Sequence, residues 1–444
     1  MNSDQAQTAA RDAVAIAIEC GAAAAEASAS LGSRLSVEAR DTTVTKLERS
    51  IVKSLEVRVF VDGGRKASLS TADFSHDALR GALQRVVAQA AAVGSDPLAG
   101  LPEATASDVP DLELSDDAIL KRVDADGIDD VLTMERVLRE IDARVDNSNG
   151  SHYSDGSSVH ALANSNGFSG VYSTTRASRS TSPVATDGEH KRTAHYGTAA
   201  RKLEELEGSV EVARLAARRS LEMFGARKPT TVRLPVIFER DIAAAVLDDV
   251  FAALNAANVA VGNSWLVDRC GERIGSELVT LVDDGRLVGM LGSSPFDAEG
   301  VATRRTVVVE RGVLRTFLYD TYYARRLGAQ TTGNAAGSGI GPNNFFLEAG
   351  AGSLGELIAS TPRGVLILDT IGFATEHATG TYSRGARGFW IEGGELVRPI
   401  EEFTVSATLP EMLAGIDGVA GDLRFDSDVV SPSFRVAEMQ ISGS

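Results

Sequence analysis

The sequence predicts an α+β protein, with an N-terminal region of mixed helix and antiparallel sheet followed by a β-rich C-terminal domain. Three observations carry this. Residues 1–100 read helix, strands, helix; the same order recurs over 101–228; and strand-turn-strand punctuation dominates beyond a break at Pro229. The main boundary therefore falls near 228, giving domains 1–228 (sub-regions 1–100 and 101–228) and 229–444. A chain of 444 residues has room for two or three domains of about 100–200 residues each.

The first helix is expected over 4–25, with Val14, Ala17 and Ile18 on its apolar face. Leu55, Val57, Val59 and Val61 then alternate with Glu56, Arg58 and Phe60, and Asp62-Gly63-Gly64 supplies a hairpin turn. Apolar Leu79, Leu83, Val86, Val87 and Ala90 predict a helix from about Ser75 to Val93. Two helices fit 115–145, started by Ser115-Asp116-Asp117 and striped by Ile128, Val131, Leu132, Val137, Leu138 and Ile141. The polar stretch 147–200 carries strand signals at 158–163 and 170–174, and 201–224 returns to helix. Later helices are expected at 240–256, around 317–328 and at 353–360, with hairpins over 307–314 and 388–397.

Charge narrows the partners. Lys plus Arg number 44 against 61 Asp plus Glu, a net charge of −17. Fourteen acids and five bases between Leu101 and Gly150 concentrate it in one segment, read as a solvated helical face, or alternatively as a docking face for a basic partner. A nucleic-acid surface needs clustered Lys and Arg, which are absent from the sequence. Cys20 and Cys270, two cysteines in a chain this long, make no disulfide framework and offer no pair at zinc-site spacing. No run approaches the ~18 apolar residues of a membrane span, and Met1 to Gln5 lacks a secretory n-region. A soluble cytoplasmic chain is expected.

Motifs of catalysis are thin. Gly380-Thr381-Tyr382-Ser383-Arg384-Gly385 comes near G-x-S-x-G but has one residue too many and lies in strand context, so Ser383 is a weak nucleophile candidate. Gly337-Ser338-Gly339-Ile340-Gly341 runs into Pro342-Asn343 and matches no phosphate loop, which leaves a mobile loop as its reading. His190 and His195 have H-E-x-x-x-H spacing, yet Lys191 stands where the base belongs, and a charged lysine neither accepts a proton nor tolerates a dication. They read as surface histidines. The half after 228 holds one histidine, His377, and no D-x-D-x-D run.

Three segments point to a family. They are Arg311-Gly312-Val313-Leu314-Arg315-Thr316-Phe317-Leu318-Tyr319-Asp320 with Thr332-Gly333-Asn334, then Thr381-Tyr382-Ser383-Arg384-Gly385-Ala386-Arg387-Gly388-Phe389-Trp390, and the end from Ala437 to Gly443. Together with 21–97 they resemble the TldD/PmbA family, in its PmbA (TldE) branch. TldD-type members are zinc metallopeptidases with H-E-x-x-x-H on a helix and a later cysteine. The resemblance places Asp248 and Ala253 at the two histidine positions, Asp249 at the glutamate and Ser431 near the cysteine. Ala253 and Ser431 offer no strong zinc ligand, so no metal is expected on this chain.

The resemblance therefore implies a non-catalytic subunit. Zinc resides in a TldD-like partner; the two form a heterodimer around an enclosed cavity, and the substrates are unfolded peptides. Thr332, Gly333, Asn334, Tyr382, Ser383, Arg384 and Gly385 are assigned to cavity or interface contacts, with tight turns and core aromatics as their alternative. A peptidase active alone through Asp248, Asp249 or Ser383 is the competing reading. The family's older name, DNA gyrase modulator, implies contact with a nucleic-acid enzyme, for which the sequence offers no basic aromatic patch.

Overall fold

A computed structural model describes residues 3–337, 339–372 and 375–443. Met1, Asn2 and Ser338 of the expected mobile loop lie outside the described residues. Helix α1 (Ser3–Glu19) buries Ala6, Ala10, Ala13, Val14 and Ala17. It stops short of residue 25: Gly21 takes a positive φ of 98°, and Ala24, paired with Phe60, starts a strand. Alanine carries no periodicity strong enough to mark that switch. Strands β1 (Ala24–Arg40), β2 (Thr43–Val61) and β3 (Arg65–Thr71) follow, then α2 (His76–Ala92). Gly64 is required in the turn before β3, since a Cβ there would lie 1.9 Å from the Asp96 carbonyl.

The next segment gives α3 (Asp117–Leu120), capped by the Asp116 side chain, and α4 (Asp124–Ile141). It continues with β4 (Val145–Asn164), β5 (Ser169–Asp187), β6 (His190–Thr193), β7 (Tyr196–Ala200) and α5 (Ser209–Leu221). The helix expected over 201–224 is shortened because Leu203–Glu205 forms a separate 3-10 turn. Sub-regions 1–100 and 101–228 share a single antiparallel sheet, ordered β3-β2-β1-β4-β5-β6, with β7 beside β5.

Parity divides the two faces of that sheet. Odd-numbered Ala25, Ala27, Ala29 and Leu31 pack with α1 and α2, while Leu35, Val37 and Ala39 pack with α4 and α5. Even-numbered Ser28, Ser30, His160, Leu162, Tyr172, Arg176, Ser178 and Ser180 line cavities instead. The polar strand faces legible in the sequence are thus the inner walls of the molecule.

The second half starts with β8 (Val232–Phe238), α6 (Arg240–Leu254) and α7 (Ala256–Ala260), then β9 (Leu281–Asp284), β10 (Arg305–Glu310), β11 (Val313–Leu314) and α8 (Thr321–Leu327). Next come β12 (Ala335–Ala336), β13 (Gly339–Ile340), β14 (Phe345–Leu347), α9 (Leu354–Ala359), β15 (Arg363–Ile371), β16 (Thr375–Glu376), β17 (Thr381–Glu392) and β18 (Glu395–Thr408). The chain ends with α10 (Leu409–Gly415), β19 (Ile416–Val419), β20 (Val429–Val430) and β21 (Phe434–Ser442). Pairing in the order β15-β8-β21-β18-β17, with β17 returning to β15, closes a five-stranded barrel without free edges. A second sheet runs β11-β10-β9-β14-β20. Buried Ala243, Val246, Leu247, Val250, Phe251, Ala253 and Leu254 of α6 join the core that both sheets share. Among the described residues, no helix is long and apolar enough to cross a membrane.

Candidate functional site

A cleft of about 740 Å³ separates the polar face of β5 and β7 from α6 and the loop at 424–431. Three of the positions singled out from sequence, His195, Asp248 and Ser431, line it. Burial, then the charges of Asp249 and Asp428, raises the Asp248 carboxyl above the usual carboxylate range, against the pull of His377 and Arg384. The Ser431 side chain is buried, and its hydroxyl donates to the Pro432 carbonyl at 2.8 Å.

Asp249 faces away from that cleft. Its Oδ2 accepts from Arg384 Nη2 at 2.7 Å and from the Thr375 hydroxyl at 2.9 Å. Two fixed donors thus hold Oδ2 in place. Ala253 is fully buried in the core. Among the described residues, no three His, Cys, Asp or Glu side chains converge to hold a metal. One carboxylate, one engaged hydroxyl and a methyl group do not fit a zinc ion.

The Tyr382–Gly385 segment is part of β17. Tyr382 is buried edge-on to Phe238, its ring centroid 6.4 Å away, and burial raises its hydroxyl pKa. Ser383 pairs with Ser406 in mid-strand, which is no nucleophile elbow. Only Arg384 meets the α6 positions.

The Thr332-Gly333-Asn334 turn lies elsewhere. Thr332 Oγ1 accepts the Tyr319 N–H at 2.8 Å, and Gly333 has φ 76° with the Ala302 carbonyl 2.8 Å from where a Cβ would sit. Asn334 and Asn343 both donate to Asp283 Oδ2 at 2.8 Å. Burial nevertheless pushes the Asp283 carboxyl up to about 6. Asn334 also lines a second cavity, of about 310 Å³. His190 and His195 are exposed, and Ser182 Oγ lies 3.0 Å from His195 Nδ1.

Sequence reading missed the arginines. Arg176, Arg179, Arg219, Arg240, Arg387 and Arg424 all line the larger cleft. Arg219 pairs with Glu239 and Asp241 at 3.2 Å, Arg387 pairs with Asp369, and Arg424 pairs with Glu207 and Asp426 while donating to the Tyr196 hydroxyl at 2.5 Å. Arg176 is exposed and, among the described residues, has no ion-pair partner. These residues come from five separate elements and loops, so no spacing announces them. The cleft can hold an extended polar chain by hydrogen bonding. The hydroxyls set beside a base there are Ser427, which donates to Asp428 Oδ1 at 2.9 Å, and Ser182, 3.0 Å from Nδ1 of the lining His195.

Three sequence profiles match: PmbA/TldA metallopeptidase domain 1 over 25–92, its central domain over 118–224 and its C-terminal domain over 231–443. A metalloprotease PmbA homolog of Haemophilus influenzae is 31% identical, over 98% of this chain and 96% of that protein. Metalloprotease PmbA of Escherichia coli O157:H7 is 30% identical, over 94% of this chain and 92% of that one. Among solved structures, a Bacteroides thetaiotaomicron protein described as a candidate modulator of DNA gyrase superposes with a TM-score of 0.92 at 27% identity, covering 99% of each chain. TldE from Thermococcus kodakarensis shares the fold, with a TM-score of 0.87 at 20% identity over 98% of this chain and 100% of that one.

Proposed function

Because the chain belongs to the PmbA/TldD metallopeptidase family, we propose that it serves as the non-catalytic, TldE/PmbA-type subunit of a heterodimeric peptidase. A TldD-like partner supplies the zinc and the catalytic base. This chain supplies the polar cleft, which completes an enclosed cavity and holds an unfolded peptide in extended form. Main-chain hydrogen bonding gives affinity with little side-chain selectivity, as suits varied unfolded substrates.

One observation carries the reading. The helix that bears H-E-x-x-x-H in TldD-type relatives here presents Asp249 locked to Arg384 and Ala253 in the core. The names of the PmbA relatives, which call them metalloproteases, favour the second reading of a chain active alone through Asp248, Asp249 or Ser383.

The two separate on one experiment. The purified chain is assayed for zinc and for cleavage of an unstructured peptide, alone and co-purified with a TldD-like protein. Cleavage only in the co-purified sample, with zinc tracking the partner, is expected. Stoichiometric zinc and chelator-sensitive cleavage by this chain alone would overturn the proposal.

A further inference from the structure

The two cavities lie on one strand face. Tyr172 lines the smaller and Arg176 the larger; both are even-numbered positions of β5, four residues apart, or roughly 13 Å along a strand. An extended tetrapeptide spans that distance.

The smaller cavity has a distinct chemistry. Its aromatic wall is His160 stacked on Tyr172 at 5.1 Å, with Phe296 edge-on to Tyr172 at 5.2 Å. Its polar side holds Asn334 and Asp297, 2% and 6% exposed. Asn334 Oδ1 is buried without a hydrogen-bond partner. The orientation of that amide is fixed: Nδ2 donates to Asp283 Oδ2 at 2.8 Å and to the Gly341 carbonyl at 3.1 Å. Flipping it would set oxygen against two acceptors. The unmet group is therefore an acceptor, and leaving a buried acceptor unpaired destabilises the empty cavity.

Charge points the same way. Among the described lining residues there is no Lys or Arg, in contrast with the larger cleft. Arg201, which acts on His160 and Tyr172 from nearby, donates to the carbonyls of Thr175, Met290 and Leu291. His160 is pushed down to about 4 by burial and then by Arg201, so it brings no positive charge near neutral pH. Asp297 accepts the N–H groups of Glu299, Val301 and Ala335, which fix its carboxyl at the cavity wall. Burial and Glu299 push it up to about 8, so it is a neutral acid in the free chain and ionises only against an incoming cation. An open acceptor, a carboxyl and neutral aromatic rings suit a cationic donor on an apolar body.

We propose that the smaller cavity is a subsite for the amino-terminal residue of an extended peptide, its ammonium held by Asn334 Oδ1 and Asp297 and its side chain laid against Tyr172 and Phe296. The assignment rests on the peptide-binding role proposed above and adds which end of the peptide is read. It also sets the polarity of the bound chain, whose later residues run along β5 toward Arg176.

Calorimetric titration of the full chain with phenylalanyl-trialanine and with its N-acetyl form tests this. The free amine is expected to bind at least ten-fold tighter. Ala336, exposed on the cavity rim, gives an occluding variant, Ala336→Trp, that leaves the buried network untouched. It should lose the free peptide while keeping the parental melting temperature. Asn334→Ala should lose the preference for the amine. Equal binding of the two peptides, no binding of either, or tight amine binding that survives Ala336→Trp would overturn the subsite. The titration needs neither partner nor cleavage, so an amine-selective chain that fails to support a TldD-like partner would sink the peptidase role alone.

Discussion

The carboxylate of Asp249 on α6 and the guanidinium of Arg384 on β17 meet at 2.7 Å, with side chains 12% and 13% exposed. The contact ties the helix to the barrel wall. Removing one partner leaves a buried charge alone, so Arg384→Ala should lower unfolding stability by about 3 kcal/mol. Asp249→Ala in the same background should return part of that loss, a coupling read by chemical denaturation of the single and double variants. A general base would behave differently: Asp249→Ala would abolish cleavage while leaving the denaturation midpoint in place.

The glycines of the Tyr-Ser-Arg-Gly-x-x-Gly-Phe-Trp segment differ in what they do. A Cβ on Gly388 would lie 1.8 Å from the Leu366 carbonyl, across the β15–β17 pairing that closes the barrel. One on Gly385 would meet nothing nearer than 3.5 Å. Gly388→Ala is expected to cost about 3 kcal/mol, since a backbone clash can relax only by parting the strands. Gly385→Ala should stay close to the parental melting temperature. Equal losses at both sites would show that Gly385 is constrained by the fold as tightly as Gly388.

Much of this architecture was legible, and the failures have physical causes. The helix expected from Ser75 to Val93 is α2, His76–Ala92, because Leu79, Leu83, Val86 and Ala90 recur at one clear period. The turn at Asp62-Gly63-Gly64 and the hairpin at Gly393-Gly394 were equally plain, as both need positive φ. Residues 22–25 were misread because alanine suits either element, and pairing with β2 decided it. At the site, sequence could nominate Asp248 and Ser431 only by family position. The arginines that line the same cleft come from distant strands and loops, and tertiary closure alone assembles them. Thr332 and Gly333 turn out to secure a turn, while Asn334 does so and also lines a cavity.

Stability should fall as pH rises from about 5 to 8. Glu26, 5% exposed on β1, is pushed up to about 7 by burial, although Arg58 lies 2.7 Å away and Lys66 also pulls it down; Glu299 and Glu56 add to the rise. Asp297 is pushed up to about 8 by burial and by Glu299. Both groups keep a proton in the folded chain after the unfolded chain has lost it. Folded stability is then fully present below the unfolded carboxyl range and declines toward each folded value, by up to about 1.4 kcal/mol per pH unit for each proton held. Glu26→Gln, which mimics the protonated form, should flatten the decline in melting temperature measured between pH 5 and 8. An unchanged slope would remove Glu26 as its source.

Rebuilding the peptidase ligands should not rebuild the metal site. Five residues along a regular helix turn through roughly 140° from the starting direction, so positions 248 and 253 of α6 look into different surroundings. Asp248 lines the cleft, whereas Ala253 is fully buried in the core that includes Val250 and Leu254. An imidazole at 253 would enter close-packed apolar surroundings without a hydrogen-bond partner, at a cost of about 2 kcal/mol or more. A glutamate at 249 would still face Arg384, and a thiol at 431 would stand where a buried hydroxyl now bonds its neighbour's carbonyl. The variant carrying Asp248→His, Asp249→Glu, Ala253→His and Ser431→Cys is therefore expected to melt lower and to contain no stoichiometric zinc by elemental analysis. A variant that folded, bound one zinc and cleaved peptide alone would show that only the donor atoms had been lost and that the surrounding scaffold still fits the ion.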